Sequence, residues 1–493
     1  MRPEELLLLS RAAMRERHLE PDFSAAAQRE AAALGAALPA ARPGVPPRDL
    51  RHLPWCSIDN DDSRDLDQLT VSQPAANGAV RVLVAIADVC ARVSPGGAID
   101  AHARANTTSV YTAGGVFPML PLRLSTDLTS LNEQVDRAAI VVEFEVDLRA
   151  TGAARPGAVA EPQVYRALVR NHAQLTYDGV AAWLDGRAAA PPKVAGVPGL
   201  EAQLRQQDRA GAALREARRA RGALGLKTVE SRPVFTDGVL TDLRADEGNR
   251  AKELIAGFMI AANGVTARFL DRHGYPSLRR LLREPTRWPR IREIAAAHGD
   301  ALPEAPSALA LDAFLTRRRL AAPERFAELS LTVVKLLGSG EYMLARPGVV
   351  PAGHFGLAVA DYTHSTAPNR RYPDLVTQRL LHAALAGEPP PLGDAELAEL
   401  ARHCTEQEDN AAKVERQVRK SAAALLLAGR VGEQFDAVVT GVSDKGTWVR
   451  VARPVVEGRL VLGAAGLDVG DTLRVALVAV DAARGHIDFS RVG

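Results

Sequence analysis

Residues 57–71 read SIDNDDSRDLDQLTV. Five aspartates, Asp59, Asp61, Asp62, Asp65 and Asp67, crowd into this stretch, with Ile58, Leu66 and Leu69 interleaved among them. A tail that held its charges in solvent would not need apolar residues at those positions, so the pattern predicts acids on an element that passes through the interior. On an extended strand, Asp65 and Asp67 would project to the same face. Like charges this close repel each other and are costly to desolvate. A divalent cation resolves the conflict, and magnesium prefers oxygen ligands in octahedral geometry. Two such ions can activate an attacking water and stabilise the leaving oxygen in phosphodiester cleavage. A calcium loop of the EF-hand type fails: counted from Asp59, Arg64 stands where glycine is needed and Thr70 where an acid is needed. A solvated acidic turn stays open on the cluster alone.

A second informative stretch is residues 353–381, GHFGLAVADYTHSTAPNRRYPDLVTQRLL. Pro368 stops any helix arriving from its left. A new helix is expected from Tyr372 or Pro373, since proline is tolerated in a first turn. Arg370 and Arg371 then stand just before a helix N-terminus, which the helix dipole disfavours for cations. An anion shared by arginine forks and free backbone N–H groups would explain them. So would arginines paired with Asp374 or another acid, and both readings stand.

Working outward, residues 4–17 and 24–38 have helical spacing, followed by a proline-rich linker over residues 39–49. The N-terminal pair reads as a helical cap on the main domain, with a small RNA-binding helix-turn-helix as the other possibility. Residues 80–89 and 139–148 are rich in β-branched residues and read as strands. Helices are expected over residues 200–223, 250–273, 322–337, 372–386 and 394–427. Strands early and helices late predict an α+β domain. Residues 431–493 change to short strands separated by Gly and Asp turns, the pattern of a small β-barrel. The division is therefore 1–50 for the helical N-terminal region and linker, 51–430 for the main domain, and 431–493 for the barrel.

The whole 493-residue chain carries a net charge of only +2, so global charge does not argue for a nucleic-acid partner. Its three cysteines form no CxxC pair, which argues against a disulfide framework or a zinc site and for a reducing cytoplasm. The apolar run Leu6 to Leu9 is too short for a signal peptide, and no membrane span of roughly 20 apolar residues is expected.

Together the two stretches resemble the ribonuclease II / ribonuclease R family of 3′-to-5′ exoribonucleases. Further matches follow in the family's order: IADV (residues 86–89), TSVY (108–111), PMLPLRLSTDLTSLNE (118–133) and FMIAANGVTARFL (258–270). Residues 431–493 resemble an S1-like domain of the OB fold through KGTWVRV and GDTLRVALVAVDAARGHIDFS. The resemblance implies an α+β catalytic RNB-type domain and a processive enzyme that releases 5′-mononucleotides from single-stranded RNA with a free 3′ end. It implies magnesium, or manganese in its place; the cysteines and the missing signal and span are what point to the cytoplasm, and no membrane or obligate protein partner is evident in the sequence. Asp59, Asp65 and Asp67 resemble the metal-binding aspartates, with Gln68 at a fourth position the family usually fills with aspartate. Arg370 resembles the arginine at the scissile phosphate. Tyr111 resembles a tyrosine that packs at the 3′-terminal nucleotides and influences final product size, and Tyr177 another near the terminal ribose. Arg371, Glu415 and Trp448 complete the candidate RNA contacts, with Arg450, Arg459 and Arg474 as phosphate candidates on the barrel. The basic runs 215–222 and 278–292 read as solvated helix faces, with lining of the RNA path as the other possibility.

The sequence also departs from the pattern. Glutamine offers a carbonyl oxygen at position 68 but no charge. The family's acidic IEEFM pattern reads IAGFM over residues 255–259, and Val229 aligns with a base-stacking phenylalanine. Bacterial members usually begin with two cold-shock barrels, and residues 1–50 carry no barrel pattern. Gln68 and the lost acids leave a second expectation beside the first: an RNA-binding protein of the same fold with weakened catalysis.

Overall fold

The computed structural model describes residues 3–38, 46–148, 156–227, 230–236, 239–246, 248–349, 352–443 and 445–492. Val229 and residues 39–45 of the linker lie outside the described residues. At the centre is a six-stranded sheet whose spatial order is Arg48–Asp49, Val159–Thr176, Trp55–Asp59, Gln68–Pro74, Val80–Ala87 and Asp136–Val146. The strand Asp136–Val146 also pairs with Val159–Thr176, so the sheet curls back on itself.

Both faces of this sheet are covered. Val82, Val84 and Ile86 enter one core with Ile58 and Phe144, while Leu83, Ala85 and Ala87 enter the other with Leu69 and Val141. Burial on both faces explains why residues 82–87 read as an unbroken apolar run rather than as an alternation. The first core is filled by the helices Leu200–Arg219 and Arg250–Arg272, through Leu204, Phe258 and Val265. The second is filled by the helix Ala98–Asn106 and the first turns of the helix Asp394–Leu427. The helix Tyr372–Ala386 serves both, with Leu375 and Val376 in one core and Leu380 and Leu381 in the other. The helix Arg250–Arg272 is long and apolar enough to cross a membrane by length and composition alone, but Phe258 and Leu270 on it are fully buried against the sheet, as in a core helix.

The helix Pro3–Glu16 forms where the spacing placed it; the second helix, expected over 24–38, covers only Ala25–Ala33 and is capped by Ser24 Oγ, which accepts from the Ala27 N–H at 3.1 Å. The first lies against the helix Asp394–Leu427 and the hairpin Val110–Thr112/Gly115–Phe117.

Five C-terminal strands close a barrel in the order Gln434–Ser443, Gly446–Ala452, Val455–Leu462, His486–Arg491 and Thr472–Asp481. Its core, Val439, Val449 and Phe489 among others, continues into Ala424 and Leu427 of the long helix. Arg450 pairs with the buried Glu328, fastening the barrel to the helix Phe326–Leu337 rather than facing a phosphate. Arg474 is engaged by Asp436, and Arg459 stays at the surface. Arg279 and Arg280, expected on a solvated helix face, instead sit on the strand Ser277–Leu281, with Arg279 buried.

Phe144 has no exposed surface. Phe144→Ala is expected to lower unfolding free energy by about 3–5 kcal/mol through lost burial and a residual cavity, measured by denaturant titration.

Candidate active site

Asp59 is the last residue of the strand Trp55–Asp59, and its Oδ1 accepts from Ser63 Oγ and from the Asn60 N–H, both at 2.8 Å. Asp65 and Asp67 do not lie on a strand, as expected above. They belong to the connection that precedes Gln68–Pro74. Hydrogen bonds to a different segment hold that connection. Ser130 Oγ accepts from the Leu66 N–H at 3.0 Å and lies 2.7 Å from the Arg64 carbonyl, and the Leu66 carbonyl accepts from the Leu131 N–H at 2.9 Å. Asp61 and Asp62 occupy an exposed turn.

Asp67 is buried, and its carboxylate meets the second motif. Oδ1 accepts from the Asn369 N–H at 2.9 Å, and Oδ2 lies 3.3 Å from Arg370 Nε. Burial pushes this carboxyl up to about 7, against the pull of the Arg370 charge and the Asn369 N–H. Burial also raises Asp59, partly offset by Ser63. The Arg370 backbone is fixed, its carbonyl accepting from the Ser109 N–H at 2.9 Å, while its side chain remains 45% exposed. Thus TSVY and NRRY, distant in sequence, are joined at the site.

Tyr111 lies on the three-residue strand Val110–Thr112, and its hydroxyl donates to Asp65 Oδ2 at 2.9 Å. Its backbone N–H donates to Glu415 Oε1 at 2.9 Å, which gives Glu415 a contact to the tyrosine's strand. Tyr177 opens the helix Tyr177–Leu184; burial and the Asp59 charge raise its phenol, with Arg370 opposing, so it shares their field. Gln68 is buried at the start of its strand, opposite Ile86. Arg371 differs from its neighbour: its Nη2 donates to the fully buried Asp374 at 2.8 Å. Trp448 is not part of this group. It lines a cleft of about 700 Å³ between the barrel and the helices Trp288–Ala297 and Phe326–Leu337, beside Arg290, Arg318 and Lys335.

Sequence reasoning missed Asn369 and Ser130, although both sit inside quoted motifs; their work is done by backbone or hydroxyl groups that residue type does not advertise. It also missed a packed layer behind Arg371, where Arg280 lies over the Tyr342 ring. Burial and the surrounding arginines hold His364 well below the usual imidazole range. Its Nδ1 lies 2.7 Å from the Tyr342 hydroxyl.

The donors Asp59, Asp65, Asp67 and Gln68 are all oxygen, which suits a hard divalent cation. Among the described residues, however, no three carboxylate or imidazole side chains close on one point. Asp59, Asp65 and Asp67 are turned to Ser63, Tyr111 and Arg370 respectively.

An RNB domain matches residues 47–387, and an RNase II-type exonuclease C-terminal S1 domain matches residues 433–492. Ribonuclease R of Escherichia coli (strain K12) is 30% identical over 479 residues, covering 90% of this chain and 57% of that protein. Ribonuclease R of Thermotoga maritima is 30% identical over 483 residues, covering 90% and 64%. The chain thus spans little more than half the length of the first of these. Among solved structures, Mycoplasma genitalium RNase R in complex with ribose methylated single-stranded RNA superposes with a TM-score of 0.86 at 21% identity. That match covers 99% of this chain and 78% of that one, and it establishes the fold.

Asp374→Ala would leave the Arg371 guanidinium half-enclosed without its partner and strip the Ala367 N–H of its acceptor. The expected loss is about 3–5 kcal/mol of stability, seen in thermal or denaturant unfolding.

Proposed function

The chain belongs to the RNB family of ribonuclease II and ribonuclease R, and from that premise we propose that it is a hydrolytic 3′-to-5′ exoribonuclease acting on single-stranded RNA in the cytoplasm. One observation carries the reading. Asp67 and Arg370, 303 residues apart, meet at 3.3 Å beside Asp65 and its tyrosine, so a phosphate placed against the half-exposed guanidinium would lie next to the carboxylates.

In this proposal Asp59, Asp65, Asp67 and the Gln68 amide hold two divalent ions, magnesium or manganese. When bound, such ions polarise the attacking water and neutralise charge on the phosphate. Arg370 binds the phosphate from the other side, and its fixed backbone means that little reorganisation is needed as charge develops. The Tyr111 ring packs the 3′-terminal nucleotides, and Tyr177 borders the terminal ribose. Arg371 contributes by holding the helix start with Asp374. Trp448 stacks a base of the incoming strand in the cleft beside the barrel, where Arg318 and Lys335 stand among a lining that also holds Glu293 and Asp468. The products are 5′-mononucleotides, released successively.

A second reading rests on Gln68: with one donor uncharged, the protein binds RNA and hydrolyses it weakly. Magnesium-dependent release of nucleotides separates the two.

Asp67→Asn should leave RNA affinity intact and reduce nucleotide release by on the order of 10³-fold, a loss of several kcal/mol of charge stabilisation. The assay is an end-labelled single strand resolved into a ladder. Wild-type speed in this variant would remove Asp67 from the chemistry, and a wild type that binds RNA but never shortens it would favour the second reading. Trp448→Ala should weaken binding of single-stranded RNA roughly 5- to 150-fold, the equivalent of one lost base–aromatic stack of about 1–3 kcal/mol. Fluorescence anisotropy at fixed salt measures it.

A further inference from the structure

The hairpin that carries Tyr111 pairs only three residues on each side, Val110–Thr112 with Gly115–Phe117. Two strands of that length are not stable by themselves. Whatever packs on the hairpin therefore decides where the tyrosine stands. One support is the long helix Asp394–Leu427, whose Glu415 accepts the Tyr111 N–H. A second is the Arg370 carbonyl, which accepts from the Ser109 N–H at the foot of the hairpin. The third, and the one that packs on the turn itself, is the N-terminal helix Pro3–Glu16.

That helix is seated in the notch between the hairpin and the long helix. Ala13 and Met14 share one core with Val110, Phe117, Ala411 and Val414. Leu6 packs with Ala422 and half-buried Ala113. Ser10 has no exposed surface, and its hydroxyl lies between the Leu6 carbonyl of its own helix, at 2.7 Å, and the hydroxyl of Thr112, the residue after Tyr111, at 2.9 Å. Thr112 Oγ1 also donates to the Gly115 carbonyl at 2.8 Å and accepts from the Gly114 N–H at 3.2 Å, so it ties the turn together. At Gly114 the two backbones touch. A Cβ there would overlap the Leu6 carbonyl and fall 2.6 Å from Ser10 Oγ. Glycine lets the helix lie directly on the turn.

We propose that the helix Pro3–Glu16 positions Tyr111 against Asp65, with Ser10 and Gly114 as positioning residues, and thereby sets the length at which degradation stops. The proposal rests on the exoribonuclease reading above. Neither residue touches RNA or a carboxylate of the site. They act by fixing the face of the tyrosine on which the last nucleotides rest, so loosening them lets the 3′ end sit further from the aspartates before binding fails.

The test uses the full chain and two variants, Ser10→Ala and Gly114→Ala. Amide hydrogen exchange across residues 110–117 should rise about five- to tenfold in each, that being the scale of one lost buried hydrogen bond or a modest displacement, while the strand Gln68–Pro74 stays protected. On a long end-labelled single-stranded RNA, the early ladder should advance at nearly wild-type speed and the residual oligomer should lengthen. Tyr111→Ala should give the same longer product, and adding Gly114→Ala to it should change nothing further. Unchanged exchange in both variants overturns the proposal. Faster exchange with wild-type product length removes the positioning role and leaves a merely structural helix. Should Gly114→Ala fail to fold, Ser10→Ala decides alone. If the wild type does not shorten the RNA, the proposed function falls, while the exchange data still decide whether the helix holds the hairpin.

Discussion

A carboxylate as deeply buried as Asp67 stays in place only if charge and donors come to meet it. Here they arrive from the far end of the domain: the Asn369 N–H and the Arg370 guanidinium. The segment that delivers them is itself tightly held. The Ser365 N–H and Oγ both reach Asn263 Oδ1, at 2.9 and 2.8 Å, the Ala367 N–H reaches Asp374, and the Thr129 hydroxyl reaches Asn369 Oδ1 at 2.6 Å. Every one of these partners is buried, so the arginine that faces solvent stands on a base that has little freedom to shift. Preorganisation of this sort is what makes a cation effective where new charge develops.

Two adjacent arginines before a helix N-terminus posed a puzzle, because the helix dipole repels them. The structure resolves it twice, differently. Arg371 is paired within its own first turn by Asp374, which has no exposed surface, and becomes part of the framework. Arg370 is matched across the fold by Asp67 and keeps nearly half its side chain exposed. The same residue type at neighbouring positions thus separates into support and contact, according to which acid reaches it.

Much of this could be read from the sequence, and the limits are physical. The helices Arg250–Arg272, Tyr372–Ala386 and Asp394–Leu427 announce themselves because their faces repeat over many turns. The eighteen-residue strand Val159–Thr176 does not: arginines, a histidine and an asparagine break its apolar pattern, since it pairs on several sides and turns some residues to the surface. Asp65 and Asp67 were legible as buried acids, but their backbone was not, because its hydrogen bonds go to Ser130 and Leu131, far along the chain. Local spacing carries no information on such partners. For the same reason the pairing of Arg371 with Asp374, only three residues on, could be named in advance, and that of Arg450 with Glu328 could not.

The long helix Asp394–Leu427 ties these parts together. Its 34 residues span about 50 Å at the usual rise per residue. Leu397, Leu400 and Cys404 anchor its start in the core under the sheet. Glu408 then meets Arg280, in the layer behind Arg371. Val414 and Val418 take the N-terminal helix, and Glu415 holds the strand of Tyr111. Ala424 and Leu427 finish inside the barrel's core. A helix with continuous backbone hydrogen bonding resists bending over this length far better than a loop would. The barrel, the tyrosine hairpin and the arginine layer are therefore referenced to one rod.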